Sequence, residues 1–158
     1  REETYLEDFV NADRIVIGAD NDKIILRVTD LYKDRFPITP IYHTNLTTAE
    51  MVKYMANCLL ATKVIFANEM YEICEKLGIK YEEAKKMVVA DRRISESHLD
   101  VTSLRGFGKK CFPKDIVAMI GLFKEHGVDV SLLEAVWNKN LRIRKIKDWE
   151  GIPFVKSD

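Results

Sequence analysis

Cysteine is scarce. Cys58, Cys74 and Cys111 are the only three, widely spaced, odd in number and without a C-x-x-C pair. A disulfide framework is therefore not expected, nor a metal site. Reduced thiols in a cytoplasmic setting are. Neither sign of charge is in excess, since 25 Lys and Arg meet 25 Asp and Glu. A net charge of zero argues against nucleic acid or an acidic membrane surface as the main partner. No apolar run is long enough to span a bilayer. Internal repeats and low-complexity segments are missing too. The first residue is Arg1 rather than Met, so the chain is expected to be a piece of something larger.

What is present is a chain of 158 residues, 47% hydrophobic and 32% charged. That suffices for one domain with a real core. Proline and glycine are absent from one long stretch, Thr47 to Leu77, which Gly78 ends. Thr47 with Glu50 reads as a capping box, and Gly78 as a left-handed stop. Met51, Tyr54, Met55, Cys58, Leu59, Thr62, Ile65, Phe66, Met70 and Ile73 recur mostly at helical steps. Leu60, Ala61, Val64 and Ala67 add apolar surface on the other side. A helix apolar over most of its girth wants partners all round. It is expected to be the spine of the domain and of a homodimer.

The remaining elements follow in order. Residues 1–12 read as a charged opening turn or short helix. RIVIGA (14–19) and PIYHTN (40–45) read as short strands. Between them lies a helix from about Asn21 to Arg35, capped by Asp20 or Asp22, with an apolar stripe of Ile24, Ile25, Val28, Leu31 and Tyr32. Tyr81 to about Ala90 is a short helix. Ser95 to Lys110 is polar, contains glycine and has no period, so it is a loop of the length usually kept for function. A helix follows Cys111, with Pro113 at its first position. Another is capped by Ser131. The segment 146–158 is read as an exit linker.

Cys111 carries the candidate chemistry. Unpaired amides and the dipole at a helix start favour an anion, and Lys109, Lys110 and Lys114 surround it. The loop before it ends in Gly106-Phe107-Gly108, a backbone able to approach a ligand closely. Alone, a cysteine placed so is more often an ordinary small residue. Asp115 is by default a carboxylate on the first turn of a helix, and Arg93 a surface charge. Lys53 and Asn57, four apart on the spine, share a face. The default reading of Lys139, Arg142, Arg144, Lys145 and Lys147 is a solvated face rather than a nucleic-acid contact.

Several blocks together resemble the UDP-glucose 6-dehydrogenases of the UDP-glucose/GDP-mannose dehydrogenase family. They are Asp13-Arg14-Ile15-Val16-Ile17-Gly18, the run Ala49 to Asn57, Leu60-Ala61-Thr62-Lys63 and Phe66-Ala67-Asn68-Glu69. To these add Asp91 to Ile94 and Gly106 to Asp115, which is similar to the family's G-F-G-G-x-C-x-x-K-D. The order and spacing match over nearly the whole chain. Lys109 stands where the family has its second glycine.

The resemblance implies a mainly α fold. A small β-α-β remnant of a Rossmann-type sheet (1–46) precedes a helical dimerising and catalytic domain (47–145) and the exit linker (146–158). It implies a four-electron, NAD-dependent oxidation of UDP-glucose to UDP-glucuronate. Cys111 would form a thiohemiacetal and then a thioester, which water hydrolyses. Lys53 and Asn57 would stabilise the oxyanion, and Asp115 would position or activate water. Arg93 would reach a substrate bound mainly by the neighbouring subunit. Lys53, Asn57 and Thr102, Ser103, Leu104, Arg105, Gly106, Phe107 and Gly108 would contact the nucleotide sugar. Glu2, Cys111 and Lys114 would lie near NAD. The family's G-x-G-x-x-G turn would belong upstream of Arg1 and a nucleotide-binding domain after the linker, so the chain alone would hold NAD poorly and be nearly inactive. The other class of function is a non-catalytic helical dimerisation module that keeps the fold.

Overall fold

The computed structural model describes residues 5–153 and 155. It is mainly helical, and Glu2 lies outside the described residues. The elements run α1 (Tyr5–Val10), β1 (Ile15–Gly18), α2 (Asp22–Arg35), β2 (Ile41–Thr44), α3 (Leu46–Leu77), α4 (Tyr81–Val88), α5 (Cys111–Glu125) and α6 (Ser131–Ile143). Two compact units divide at Lys53 and Tyr54. Among the described residues no helix is long and apolar enough to cross a membrane.

In the first unit β1 and β2 pair in parallel, with Ile15 opposite Ile41 and Gly18 opposite Thr44. A parallel pair needs a crossover, which α2 supplies. Asn21 caps α2 by accepting from the Lys23 amide at 2.9 Å, in place of the aspartates on either side. Of the apolar stripe expected on α2, Ile25, Val28 and Tyr32 are half-buried and Ile24 and Leu31 exposed, and the buried residue of the helix is Thr29. The Thr29 hydroxyl lies 2.8 Å from His43 Nε2 on β2. Phe9, Tyr32 and Phe36 cluster edge to face and stacked. Gly18 is needed for packing, because a Cβ there would overlap Ala49 at the start of α3.

α3 has 32 residues, about 48 Å at ~1.5 Å per residue. Its cap is Asn45 rather than Thr47, because Asn45 Oδ1 takes the Thr48 amide at 2.8 Å. Asn accepts at this position as well as Thr does and sits one turn-start earlier. Gly78, at φ +69°, stops the helix. The Ile79 amide reaches Cys74 O at 2.8 Å and the Gly78 amide reaches Glu75 O at 3.3 Å, a Schellman closure.

In the second unit Cys58, Ala61, Ile65 and Asn68 form the buried face of α3. Met55, Leu59, Phe66, Met70, Ile73 and Leu77 are exposed. The core opposite holds Ile116 and Met119 of α5 and Val136 and Trp137 of α6. α5 begins at Cys111, two residues before the position expected from Pro113. Pro113 is tolerated there because the amides of a first helical turn have no intrahelical partner to lose. α6 begins at Ser131, with Val130 at the cap position. The segment read as an exit linker packs inward: Trp149 and Val155 are buried, and Trp149 lies 5.4 Å from the Trp137 ring.

Candidate active site

The first turn of α5 presents an exposed thiol and a buried carboxylate. Cys111 opens onto solvent. Asp115, four residues on and so on the same helical face, is completely buried. A buried carboxylate is costly unless its oxygens are satisfied. Here Asn57 Nδ2, from α3, donates to Asp115 Oδ2 at 2.5 Å, and the Lys114 ammonium pairs with Oδ1. Lys114 also lies 5.9 Å from the centre of the Tyr54 ring. Of the residues expected to be catalytic, Asn57 and Asp115 meet one turn from Cys111, and Lys114, expected near the cofactor, joins them. Lys53 is exposed one turn earlier on α3.

Cys58, also on α3, is the counterpart that rules itself out as a nucleophile. Burial, and then the neighbouring Asp115 charge, push its thiol up to about 11. It stays protonated at neutral pH; Cys74 is half-buried and Cys111 is exposed.

The loop between α4 and α5 has no regular structure and is fastened from below. Arg105, Gly106 and Lys109 all have positive φ, at 61°, 49° and 61°. Asn140 on α6 is completely buried and pairs with both polar groups of Phe107, accepting from its amide at 2.8 Å and donating to its carbonyl at 3.0 Å. Asn68 on α3 accepts from the Gly106 amide at 3.3 Å. Arg144 donates to Arg105 O at 3.1 Å, and the Lys145 amide to Leu104 O at 3.1 Å. A Cβ at Gly106 would overlap Asn140 Oδ1, and one at Gly108 would overlap Asp148 and Arg144. The two glycines thus admit side chains of the α6 end, where the sequence suggested the approach of a ligand. Lys109 takes the left-handed conformation that a glycine adopts without strain.

Not every expected substrate contact lies with the thiol. Thr102, Ser103 and Arg105 line an open cleft of about 530 Å³ together with Tyr71, Glu72, Glu75, Val101 and Lys145. Leu104 is exposed at the loop surface. Glu72 ties the cleft floor together, taking Arg105 at 3.1 Å and Lys139 at 2.6 Å. Its carboxyl is held below its ordinary range, first by the Lys139 hydrogen bond. Lys139 and Arg144, part of the basic run near the chain's end, are thereby engaged within the molecule. Arg93 is exposed and turned onto Asp91, with Nη2 at 2.5 Å from Oδ2, which lowers the Asp91 carboxyl.

Sequence reasoning passed over Asn140 and Asn68 as site builders. The signal was available: each occupies an apolar-face position of its helix, Asn140 after Val136 and Trp137, Asn68 after Ala61 and Ile65.

Fold and site first define a class: a mainly helical domain on a long spine, with an accessible thiol at a helix start and an amide-bound carboxylate one turn below. A sequence profile described as the UDP-glucose/GDP-mannose dehydrogenase family, central domain, matches residues 47–142. The chain belongs to this family. It is 39% identical to a UDP-glucose 6-dehydrogenase of Rickettsia conorii over 140 residues, which cover 89% of this chain and 32% of that protein. It is 37% identical to the UDP-glucose 6-dehydrogenase TuaD of Bacillus subtilis, over 91% of this chain and 30% of that one. A solved UDP-glucose dehydrogenase from Pyrobaculum islandicum superposes with a TM-score of 0.73 at 35% identity, covering 85% of this chain and 30% of that chain. The chain spans about a third of the length of these relatives.

Proposed function

We propose that the chain carries the nucleophile of a UDP-glucose 6-dehydrogenase. The supporting observation is the exposed Cys111 at the start of α5, one turn above an Asp115 that is buried and bound by Asn57. The Cys111 thiolate adds to the carbonyl carbon of the 6-aldehyde, and the carbonyl oxygen takes up a proton to give a thiohemiacetal. Asn57, and Lys53 one turn before it on α3, stabilise the negative oxygen of that addition. Bound NAD would supply the hydride acceptor for both oxidations; Cys111 holds the carbon as the thiohemiacetal before the second and as the thioester after it. Water then attacks the thioester carbon, releasing the carboxylate and returning the thiol. Asp115 orients the amide of Asn57 and, with it, that water.

Cys111 and Lys114 would face the reactive end of NAD. Cys111 and Lys114 reach solvent from the first turn of α5. Gly18, which ends β1, is filled by packing against Ala49 and offers no phosphate cradle. Glu2 and Arg93 keep the roles that family resemblance gives them, near the cofactor and toward a neighbouring subunit's substrate. Thr102 to Gly108 form the sugar-nucleotide loop. Residues 1–46, 47–145 and 146–158 correspond to the edge of a cofactor domain, the catalytic domain and a connector.

The same reading makes the chain a homodimer through α3. Six large apolar residues, from Met55 to Leu77, are exposed along it at steps of three, four and seven. Such a stripe suits a second copy of the same helix. The experiment is turnover of UDP-glucose with NAD. In the chain joined to the flanking domains of a full-length relative, Cys111→Ser should abolish carboxylate formation, and carboxylate formation equal to that of the same assembly with Cys111 would overturn the reading.

A further inference from the structure

We propose that Asn140 is a positioning residue for the site, acting through the backbone of Phe107; the proposal rests on the reading of Cys111 as the nucleophile. Asn140 lies on α6 and touches neither Cys111 nor the cleft-lining residues Thr102 and Ser103 in any hydrogen bond. Its side chain is completely buried, yet every polar atom of its amide is used on one residue of the loop. An amide that takes both the N–H and the C=O of a single residue fixes that residue as a strand partner would.

Phe107 relays the hold. Its ring is buried, lies 6.3 Å from Trp137 in a stacked pair, and meets Phe112 edge to face at 6.0 Å. Phe112 is the residue after Cys111. One buried amide therefore sets the backbone of the Gly106–Gly108 turn and, through one ring, the first turn of α5. Arg105 and Lys109 sit at positive φ, which a side chain makes costly; Arg144 and the Lys145 amide hold the loop before Gly106, at Arg105 O and Leu104 O, and Asn140 holds it at Phe107. Asn68 supplies a weaker second point at Gly106. The polar groups are buried and paired, so breaking one pairing leaves a partner unsatisfied rather than re-solvated.

Asn140→Asp keeps the shape and the acceptor for the Phe107 amide but sets an oxygen, in place of the NH2 donor, against the Phe107 carbonyl. Gly106→Ala disturbs the same contact from the loop side, since its Cβ meets Asn140 Oδ1. The probe is the 6-aldehyde of UDP-glucose, scored by how far it protects Cys111 from iodoacetamide, with buried Cys58 as an internal report on folding. Each variant is expected to need roughly tenfold more aldehyde for the same protection, with Cys58 still unlabelled and the double variant no worse than the poorer single. If Asn140→Asp exposes Cys58, the Gly106→Ala variant decides. Wild-type protection that persists unchanged in the folded variants overturns the positioning role alone. Labelling of Cys58 in both variants makes Asn140 a structural residue and overturns it too. An aldehyde that fails to protect wild-type Cys111 overturns the nucleophile reading and this proposal with it.

Discussion

Asn57 and Asp115 join α3 to α5 through one hydrogen bond of 2.5 Å between Nδ2 and Oδ2. The contact satisfies one oxygen of a completely buried carboxylate, and the Lys114 ammonium satisfies the other. Removing the amide takes away the donor to Oδ2. Asn57→Leu is expected to lower stability by about 2–4 kcal/mol, measured by denaturant unfolding. Asp115→Asn, which removes the charge itself, is expected to cost less. Equal stability of Asn57→Leu and wild type would mean that the pair bears no load.

Cys58 gives a pH dependence with a definite sign. Its thiol is raised from 9.0 to about 11 in the folded chain. The folded state therefore keeps a proton that the unfolded state gives up. The contribution is fully present below pH 9 and lost as pH rises toward 11. It amounts to at most about 2–3 kcal/mol. Unfolding free energies of wild type and Cys58→Ala, compared between pH 8 and 11, should converge as pH rises. Parallel curves would contradict the shift.

Lys109 tests the cost of a side chain at positive φ. At 61°, a Cβ crowds the backbone. Lys109→Gly is expected to be more stable than Lys109→Ala by about 1 kcal/mol, since both variants lack the charge and only the alanine keeps the crowding. Thermal unfolding of the pair reads this directly. An alanine variant as stable as the glycine variant would place the loop in another conformation.

The exposed stripe on α3 predicts an assembly. Leu59 and Phe66 are 64% and 56% exposed near its middle. Sedimentation should find a dimer for the wild type and a monomer for Leu59→Lys with Phe66→Lys, with helix content kept. A wild-type monomer, or a dimer that survives both lysines, would remove α3 as the interface.

Much of this was legible in the sequence. An unbroken run without Pro or Gly gave α3, and Gly78 gave its end. Two β-branched runs flanking a helical period gave the parallel pair. The G-F-G and C-x-P-K-D text placed the loop and thiol side by side. Other features were hidden because they rest on contacts between distant segments. Asn140 looked like one more polar residue of α6, although its position on the Val136–Trp137 face marked it. Trp149 and Val155 read as part of a connector, and both are buried, Trp149 against the distant Trp137 ring. The glycines at 106 and 108 signalled close approach correctly but not what approaches. Asn45 took the cap from Thr47, and Asn21 took the cap from its flanking aspartates, because several residues in each place could do the work and local propensity does not choose among them.

Whether Cys111 is the nucleophile can be read without turnover. Wild-type protein is treated with iodoacetamide in the presence and absence of the 6-aldehyde of UDP-glucose, and each cysteine is quantified by peptide mass. Thiohemiacetal formation needs no cofactor, so the aldehyde should slow labelling of Cys111 in a saturable way and leave Cys74 unaffected. UDP alone should protect less. Equal labelling of Cys111 with and without the aldehyde would contradict the account and leave the chain as a helical dimerisation module.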